Sequence, residues 1–217
     1  MGRHKIQNTP AIRRMPTYLH KLTLMQAAGE KFTSAAKLSE SMDLDQIIIR
    51  KDFELTGIKG TPGIGYKTHD LIKSIRRFLG WNETRTAFLL GAGSLGSALL
   101  GYEEFTEYGL QVTGVFDADP MKIGTRVHGH EVIDIRRLTE YALSRHPQLG
   151  IICVPSSCAQ SLADQLIECG VSAFWCFSNT CLKTPPDVVV QREVIAGGFA
   201  VLSRKFKIHA PGDALDG

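Results

Sequence analysis

A glycine-rich turn lies in the middle of this 217-residue chain rather than at its start. The run Thr86-Ala87-Phe88-Leu89-Leu90-Gly91-Ala92-Gly93-Ser94-Leu95-Gly96-Ser97-Ala98 reads as an apolar strand, a tight turn and the opening of a helix. In that setting Gly-x-Gly-x-x-Gly is a dinucleotide fingerprint. The first glycine permits the turn, the second lets backbone approach the pyrophosphate, and the third lets the helix pack closely on the strand. Residues 1–80 come before it and differ in character, so a second domain is expected beside the nucleotide-binding one.

Charge separates the two parts. Residues 1–80 hold 14 Lys and Arg against 7 Asp and Glu, whereas the remainder holds 11 against 15. A basic small domain joined to a mildly acidic one points to a polyanionic partner for the first. An inert, solvated basic face is the alternative. No apolar run approaches the roughly 20 residues of a membrane span, and the first residues lack a secretory leader. The expectation is a cytoplasmic protein with no membrane partner. The five cysteines, all in the last third of the chain, form no Cys-x-x-Cys pair. They read as reduced, mostly core thiols, with no metal site. Cys176 and Cys181 straddle a strand end, where a redox role is a minor alternative.

Apolar residues at Ile12, Met15, Leu19, Leu22 and Met25 predict a helix from Ala11 to about Ala28, with Pro16 near its first turn,. Thr33 or Ser34 can cap a second helix through Met42. Asp43 or Asp45 can cap a third, ended by Gly57. The glycine-rich stretch from Gly57 to Tyr66 reads as a small hairpin with Ile58 and Ile64 beside its turn. Tyr66 to Leu79 is a closing helix with Leu71, Ile72, Ile75 and Phe78 inward,. A helix-turn-helix followed by a hairpin is a winged helix.

From Thr86 strands and helices alternate: strands at 86–90, 111–117, 131–133, 149–154 and 173–177, helices at 95–100, 135–145 and 159–169. That alternation is a doubly wound parallel sheet of Rossmann type. A late strand at 188–190 and an amphipathic segment at 193–206 follow. The expected domains are 1–80, winged helix; 81–190, Rossmann; 191–208, a C-terminal dimerisation helix; and 209–217, a disordered tail.

The candidate nucleotide contacts are Gly91, Ala92, Gly93, Ser94, Leu95 and Gly96, followed at the expected distance of about twenty residues by Asp117,. A carboxylate there accepts bonds from a ribose 2′-hydroxyl and repels a 2′-phosphate, so NAD is favoured over NADP. An Asp capping the turn Asp117-Ala118-Asp119-Pro120 is the alternative. Val154 and Pro155 end the fourth strand on the same carboxyl edge, and Ser178 and Asn179 leave the fifth strand there, within reach of the nicotinamide end. His128 and His130 read as loop residues rather than a catalytic pair. With no nucleophile elbow, Walker lysine or metal spacing, no catalytic residue is assigned. Candidate DNA contacts are Arg13, Arg14 and Lys21, Arg50 and Lys51 on the recognition helix, and Lys59 in the wing.

The run Arg50-Lys51-Asp52-Phe53-Glu54-Leu55-Thr56-Gly57-Ile58-Lys59-Gly60-Thr61-Pro62-Gly63-Ile64-Gly65-Tyr66 closely resembles a stretch of the Rex family of redox-sensing transcriptional repressors. So do the glycine turn with Tyr102 and Phe105, the run from Phe116 to Gly124, and Val154-Pro155 with Ala159-Gln160. Thr9 to Tyr18 matches the family's first helix, and the resemblance extends from about residue 9 to 206. It implies a homodimer that binds a palindromic operator through two winged helices, with Tyr18, Asp52 and Gly60 added to the DNA-facing set. It implies NADH and NAD⁺ in the Rossmann domains, with Asp119 and Tyr102 beside the nucleotide, and a C-terminal helix swapped across the dimer. NADH would release the operator and NAD⁺ would compete with it. This chain differs from the family at Ile48, Glu54, Thr61 and Pro62 in the DNA domain, and at His20 and Val194 in the switch. His20 stands for an arginine that exchanges between Tyr102 and Glu193. Two other readings remain: a paralogue that binds NAD(H) but no operator, and a small NAD-dependent oxidoreductase.

Overall fold

Ala11, Met15, Tyr18, Leu19 and Leu22 recur at helical spacing, and all five are buried on one face of α1 (Thr9–Ala27). The computed structural model describes residues 8–209, and the chain divides into two compact units between Thr84 and Arg85. α1 opens the first unit. Pro10 lies in its first turn, so the helix begins ahead of Ala11 and Pro16 falls inside it. A proline there removes a main-chain hydrogen bond, at a cost of about 3 kcal/mol. Burial of Met15, Leu19 and Leu22, each contributing about 1.5–3 kcal/mol, outweighs it.

Ser34 caps α2 (Ala35–Met42) by accepting the Lys37 N–H at 3.2 Å. Asp45 caps α3 (Gln46–Leu55) by accepting the Ile47 N–H at 2.6 Å. β1 (Phe32–Thr33) pairs antiparallel with β2 (Tyr66–Lys67). This pairing corrects the expected hairpin around Ile58 and Ile64. The glycine-rich segment is instead a tight loop closed by a bridge between Thr61 and Gly65, whose carbonyl accepts the Thr61 N–H at 2.7 Å. Tyr66 therefore belongs to a strand, and α4 spans Thr68–Leu79. Leu71 and Ile75 are buried and Ile72 packs beside them. Phe78, expected inward, is exposed, and the last turn is sealed by Leu79 and Trp81.

One buried charge organises this unit. Asp52 is only 3% exposed. Its carboxylate accepts Arg14 Nε at 2.7 Å, Arg14 Nη2 at 2.8 Å and the Tyr18 hydroxyl at 2.6 Å. Burial, reinforced by the bond to Asp52, raises the Tyr18 pKa well above the usual phenol value, so the hydroxyl remains a donor. The Tyr18 ring meets Phe53 edge-on at 5.3 Å, and Phe53 meets Tyr66 at 5.3 Å.

The second unit begins with β3 (Arg85–Leu90), α5 (Ser94–Leu100), α6 (Glu104–Glu107) and β4 (Leu110–Asp117). It continues with β5 (Arg126–Val127), β6 (His130–Asp134), α7 (Leu138–Arg145), β7 (Leu149–Ile152) and α8 (Ser156–Glu168). β8 (Ala173–Cys176), β9 (Val189–Arg192) and α9 (Ile195–His209) complete it. The sheet order is β5-β6-β4-β3-β7-β8-β9, with every neighbouring pair parallel except β5 with β6. β5 and β6 form a hairpin whose turn residues His128 and Gly129 both have positive φ, the conformation a two-residue hairpin turn requires. The expected helix at 135–145 starts as one 3₁₀ turn, Ile135–Arg137, before α7.

Successive residues of β3 face opposite layers, which explains its continuous apolar run. Phe88 and Leu90 join Phe116, Phe174 and residues of α7 and α8, while Ala87 and Leu89 join Val115, Val132 and Ile151 beneath α5. α9 behaves differently: its apolar residues Ile195, Phe199, Val201, Leu202 and Phe206 are all exposed. The irregular tail expected at 209–217 lies outside the described residues, apart from His209 at the end of α9.

Asp52→Ala strands the Arg14 guanidinium and the Tyr18 hydroxyl, and is expected to destabilise the first unit by about 3–5 kcal/mol. A domain of this size has roughly 4–11 kcal/mol in all. The triple replacement Arg14→Met, Tyr18→Phe, Asp52→Leu removes every polar partner together and should recover most of that loss. Urea denaturation of the two variants measures the contrast.

Candidate functional site

The carboxyl end of β3 turns sharply at Gly91, whose φ is +97°. A Cβ there would stand 2.6 Å from the Cys153 carbonyl oxygen, at the end of the neighbouring β7. β3 and β7 are where the strand order reverses, the crevice in which open α/β sheets bind ligands. Gly96, in the first turn of α5, is tighter still: a Cβ would lie 2.0 Å from the Gly91 carbonyl oxygen. Around Gly93, by contrast, a Cβ would meet nothing within 4 Å. Two glycines are thus demanded by close packing, and the third keeps the approach to the start of α5 open. Ala92 is buried, while Ser94 and Leu95 begin the helix. An open backbone at that point fits a pyrophosphate, which the residue pattern requires and bulkier residues would exclude.

Asp117 ends β4 beside this turn. Its Oδ2 accepts the Ala92 N–H at 2.8 Å and lies 3.2 Å from Lys122 Nζ, and its Oδ1 accepts the Asp119 N–H at 2.9 Å. Burial works against the charge. The bonds from the Asp119 N–H, Lys122 and the Ala92 N–H outweigh it and hold the carboxyl below its usual range. Of the two sequence readings of this residue, the turn cap is seen directly in the bond from the Asp119 N–H. Oδ1 keeps acceptor capacity for a ribose hydroxyl. Asp119 itself accepts the Met121 N–H at 2.9 Å and is half-buried. Lys122 was not singled out from the sequence, although it sits five residues from Asp117 in the same turn.

At the end of β7, Val154 lies against Gly91, and Pro155 caps α8. Ser178 is buried and donates its hydroxyl to the Val154 carbonyl. Its proton is thereby committed to joining the ends of β7 and β8, which narrows its expected part at the nicotinamide end to that of an acceptor. Asn179 accepts Arg192 Nη2 at 2.9 Å, and Arg192 Nη1 lies 3.2 Å from Cys181 Sγ. Arg192 is a second residue the sequence reading missed, because its strand is short and half-exposed. Tyr102 stands just past the far end of α5 from the glycine turn. There it donates to Glu104 at 2.7 Å and packs on Phe105 at 4.6 Å between ring centres. Burial pushes the Cys153 thiol up to about 12, with a smaller contribution from Cys176.

In the first unit, Arg13, Lys21, Arg50, Lys51, Lys59 and Gly60 do not belong to the core. Arg50 Nη2 contacts Gln46 at 3.3 Å, one helical turn away on α3. Arg50 and Gly60 also line a cleft of about 560 Å³ between α3 and the wing, with Thr61, Pro62 and Tyr66. Arg14, Tyr18 and Asp52, expected to face DNA, are tied to one another instead. Tyr18 and Asp52 are buried, and Arg14 spends its planar fork on Asp52. Their work is to fix α1 against α3.

Comparison with known proteins gives a consistent result. Residues 9–54 match a family model described as a putative DNA-binding protein N-terminus, and residues 82–180 match a CoA binding domain model. The chain is 39% identical over 202 residues to the redox-sensing transcriptional repressor Rex of Treponema denticola, covering 93% of this chain and 96% of that one. It is 38% identical over 190 residues to Rex of Desulfitobacterium hafniense, covering 88% and 90%. Among solved structures it resembles RSP in complex with β-NAD⁺ and operator DNA, with a TM-score of 0.84, 30% identity and 94% of each chain covered. RSP in complex with β-NADH aligns with a TM-score of 0.81 and 29% identity over 94% of this chain and 96% of that one.

The glycines separate packing from binding. Gly96→Ala drives a methyl into the Gly91 carbonyl and is expected to cost about 3 kcal/mol or more. Gly93→Ser enters open space at a helix N-cap that favours serine over glycine, so stability should hold or rise by a few tenths of a kcal/mol. Thermal denaturation of both variants checks the ordering.

Proposed function

The chain belongs to the Rex family of redox-sensing transcriptional repressors, and we propose that it binds operator DNA as a homodimer and leaves it when NADH occupies the second unit. The observation that carries this reading is the combination within one chain of a glycine turn open at Gly93, an adjoining Asp117 and a basic winged helix. Gly91 to Gly96 would receive the pyrophosphate and Asp117 the ribose. Val154, Pro155 and Ser178 would border the nicotinamide end. The nucleotide acts as a ligand, not a hydride donor, and the protein is not an enzyme. It would work in the cytoplasm.

The first unit would set α3 into the major groove, with Arg13, Arg50, Lys51 and Lys59 on phosphates and the wing beside the backbone. Gly60, at the rim of the cleft between α3 and the wing, lets the backbone come close. A palindromic operator follows from a two-fold dimer. The exposed apolar residues of α9 support dimerisation, because a contiguous apolar helix face in water calls for a partner surface. Exchange of α9 between protomers, with Tyr102 and Glu193 near the exchanged helix, would couple the nucleotide site to dimer shape. NADH can drive release only by binding one dimer shape more tightly than the other. A shift from 1:99 to 99:1 requires about a 10⁴-fold difference.

Fluorescence anisotropy on an operator chosen by selection from random duplexes tests the central reading. Saturating NADH should weaken binding at least about tenfold, a coupling of roughly 1.4 kcal/mol. The slope of log K against log salt should be about −7 for eight neutralised phosphates. Asp117→Ala should raise the Kd for NADH about 10- to 100-fold through loss of charge-assisted bonds, while operator binding without NADH is kept. Selection of no palindrome would favour the paralogue without operator binding, to which the exposed carboxylate of Glu54 on α3 lends its support. Separately, Phe199→Glu with Leu202→Glu should convert a dimer to monomer in analytical ultracentrifugation.

A further inference from the structure

The face of α3 opposite the buried Ile49, Asp52 and Phe53 carries Ile47, Lys51 and Glu54 at helical spacing, flanked by Arg50 and Ile48. Ile47 is 57% exposed and Ile48 40% exposed. Single exposed apolar residues are common and decide nothing by themselves. The position of these two is informative. They occupy the first turn of the recognition helix, the part that reaches base edges in a helix-turn-helix, and two cations follow within one turn. Isoleucine can neither donate nor accept, so it cannot read the hydrogen-bonding pattern of a base pair. The apolar feature that the major groove offers is the C5-methyl group of a pyrimidine.

Resting on the operator-binding reading above, we propose that Ile47 and Ile48 form an apolar patch that reads pyrimidine C5-methyl groups in the major groove. Base specificity at those positions is then set by methyl contact with thymine, and 5-methylcytosine presents the same group.

The test replaces each thymine of the selected operator in turn, in both half-sites, by deoxyuridine, which keeps its pairing and lacks only the methyl. Anisotropy is read at fixed salt without NADH. At one or two positions per half-site the wild-type protein should lose about fourfold per half-site, or roughly 16-fold for the symmetric replacement, from about 0.8 kcal/mol per buried methyl. The variant Ile47→Ser/Ile48→Ser, altered only at exposed positions, should no longer distinguish thymine from deoxyuridine there. Sequence-selective binding that ignores deoxyuridine at every position would overturn the methyl patch and leave the repressor reading standing. Discrimination that survives in the double variant would overturn the assignment to these two residues. Failure to bind any duplex selectively would overturn both readings.

Discussion

No side chain fits between the start of α5 and the end of β3. With the Gly91 carbonyl 2.0 Å from where a Gly96 Cβ would be, the helix rests directly on strand backbone. That contact sets the position of everything at the sheet's carboxyl edge. It brings the open backbone at Gly93 over the crevice between β3 and β7. It also leaves the Ala92 N–H pointing at Asp117, which bonds it at 2.8 Å. The carboxylate thus links β4 to the glycine turn before any ligand arrives. A nucleotide ribose would meet an acceptor already aimed and already charged, so little reorganisation accompanies binding.

The first unit reaches the same end with different chemistry. There a buried carboxylate, Asp52, joins α1 to α3 through Arg14 and Tyr18. Such a pair loses hydration, and its mutual attraction offsets that loss only in near-ideal geometry, which the two-pronged Arg14 contact provides. What it secures is direction. On its inner side α3 is held both by these charged hydrogen bonds and by buried Ile49 and Phe53.

Strands β3, β4 and β7 were legible because buried parallel strands are apolar on both faces, and Asp117 because its distance from the glycines is fixed by the fold. β1 was not legible: two residues have no periodicity, and Phe32-Thr33 becomes a strand only because Tyr66-Lys67 lies beside it. The same long-range pairing hid the true form of the wing. Arg14 reads in the sequence as one of a cluster of basic residues. Its partner is 38 positions away, beyond what local pattern can register. Lys122 and Arg192 were missed for a related reason, since each gains its meaning from a side chain that folding brings near. Misplacement of Pro16 had a simpler cause: the helix begins two residues ahead of Ala11, at Thr9.

Cys153 stands beside the glycine turn, its carbonyl oxygen close to Gly91, with its thiol pushed up to about 12 by burial. At neutral pH burial keeps this sulfur in the thiol form, without the charge that peroxides and disulfides require for attack. The Cys153 thiol is therefore chemically quiet. An oxidising burst would reach the exposed Cys181 thiol, beside Arg192, before the Cys153 thiol next to the glycine turn.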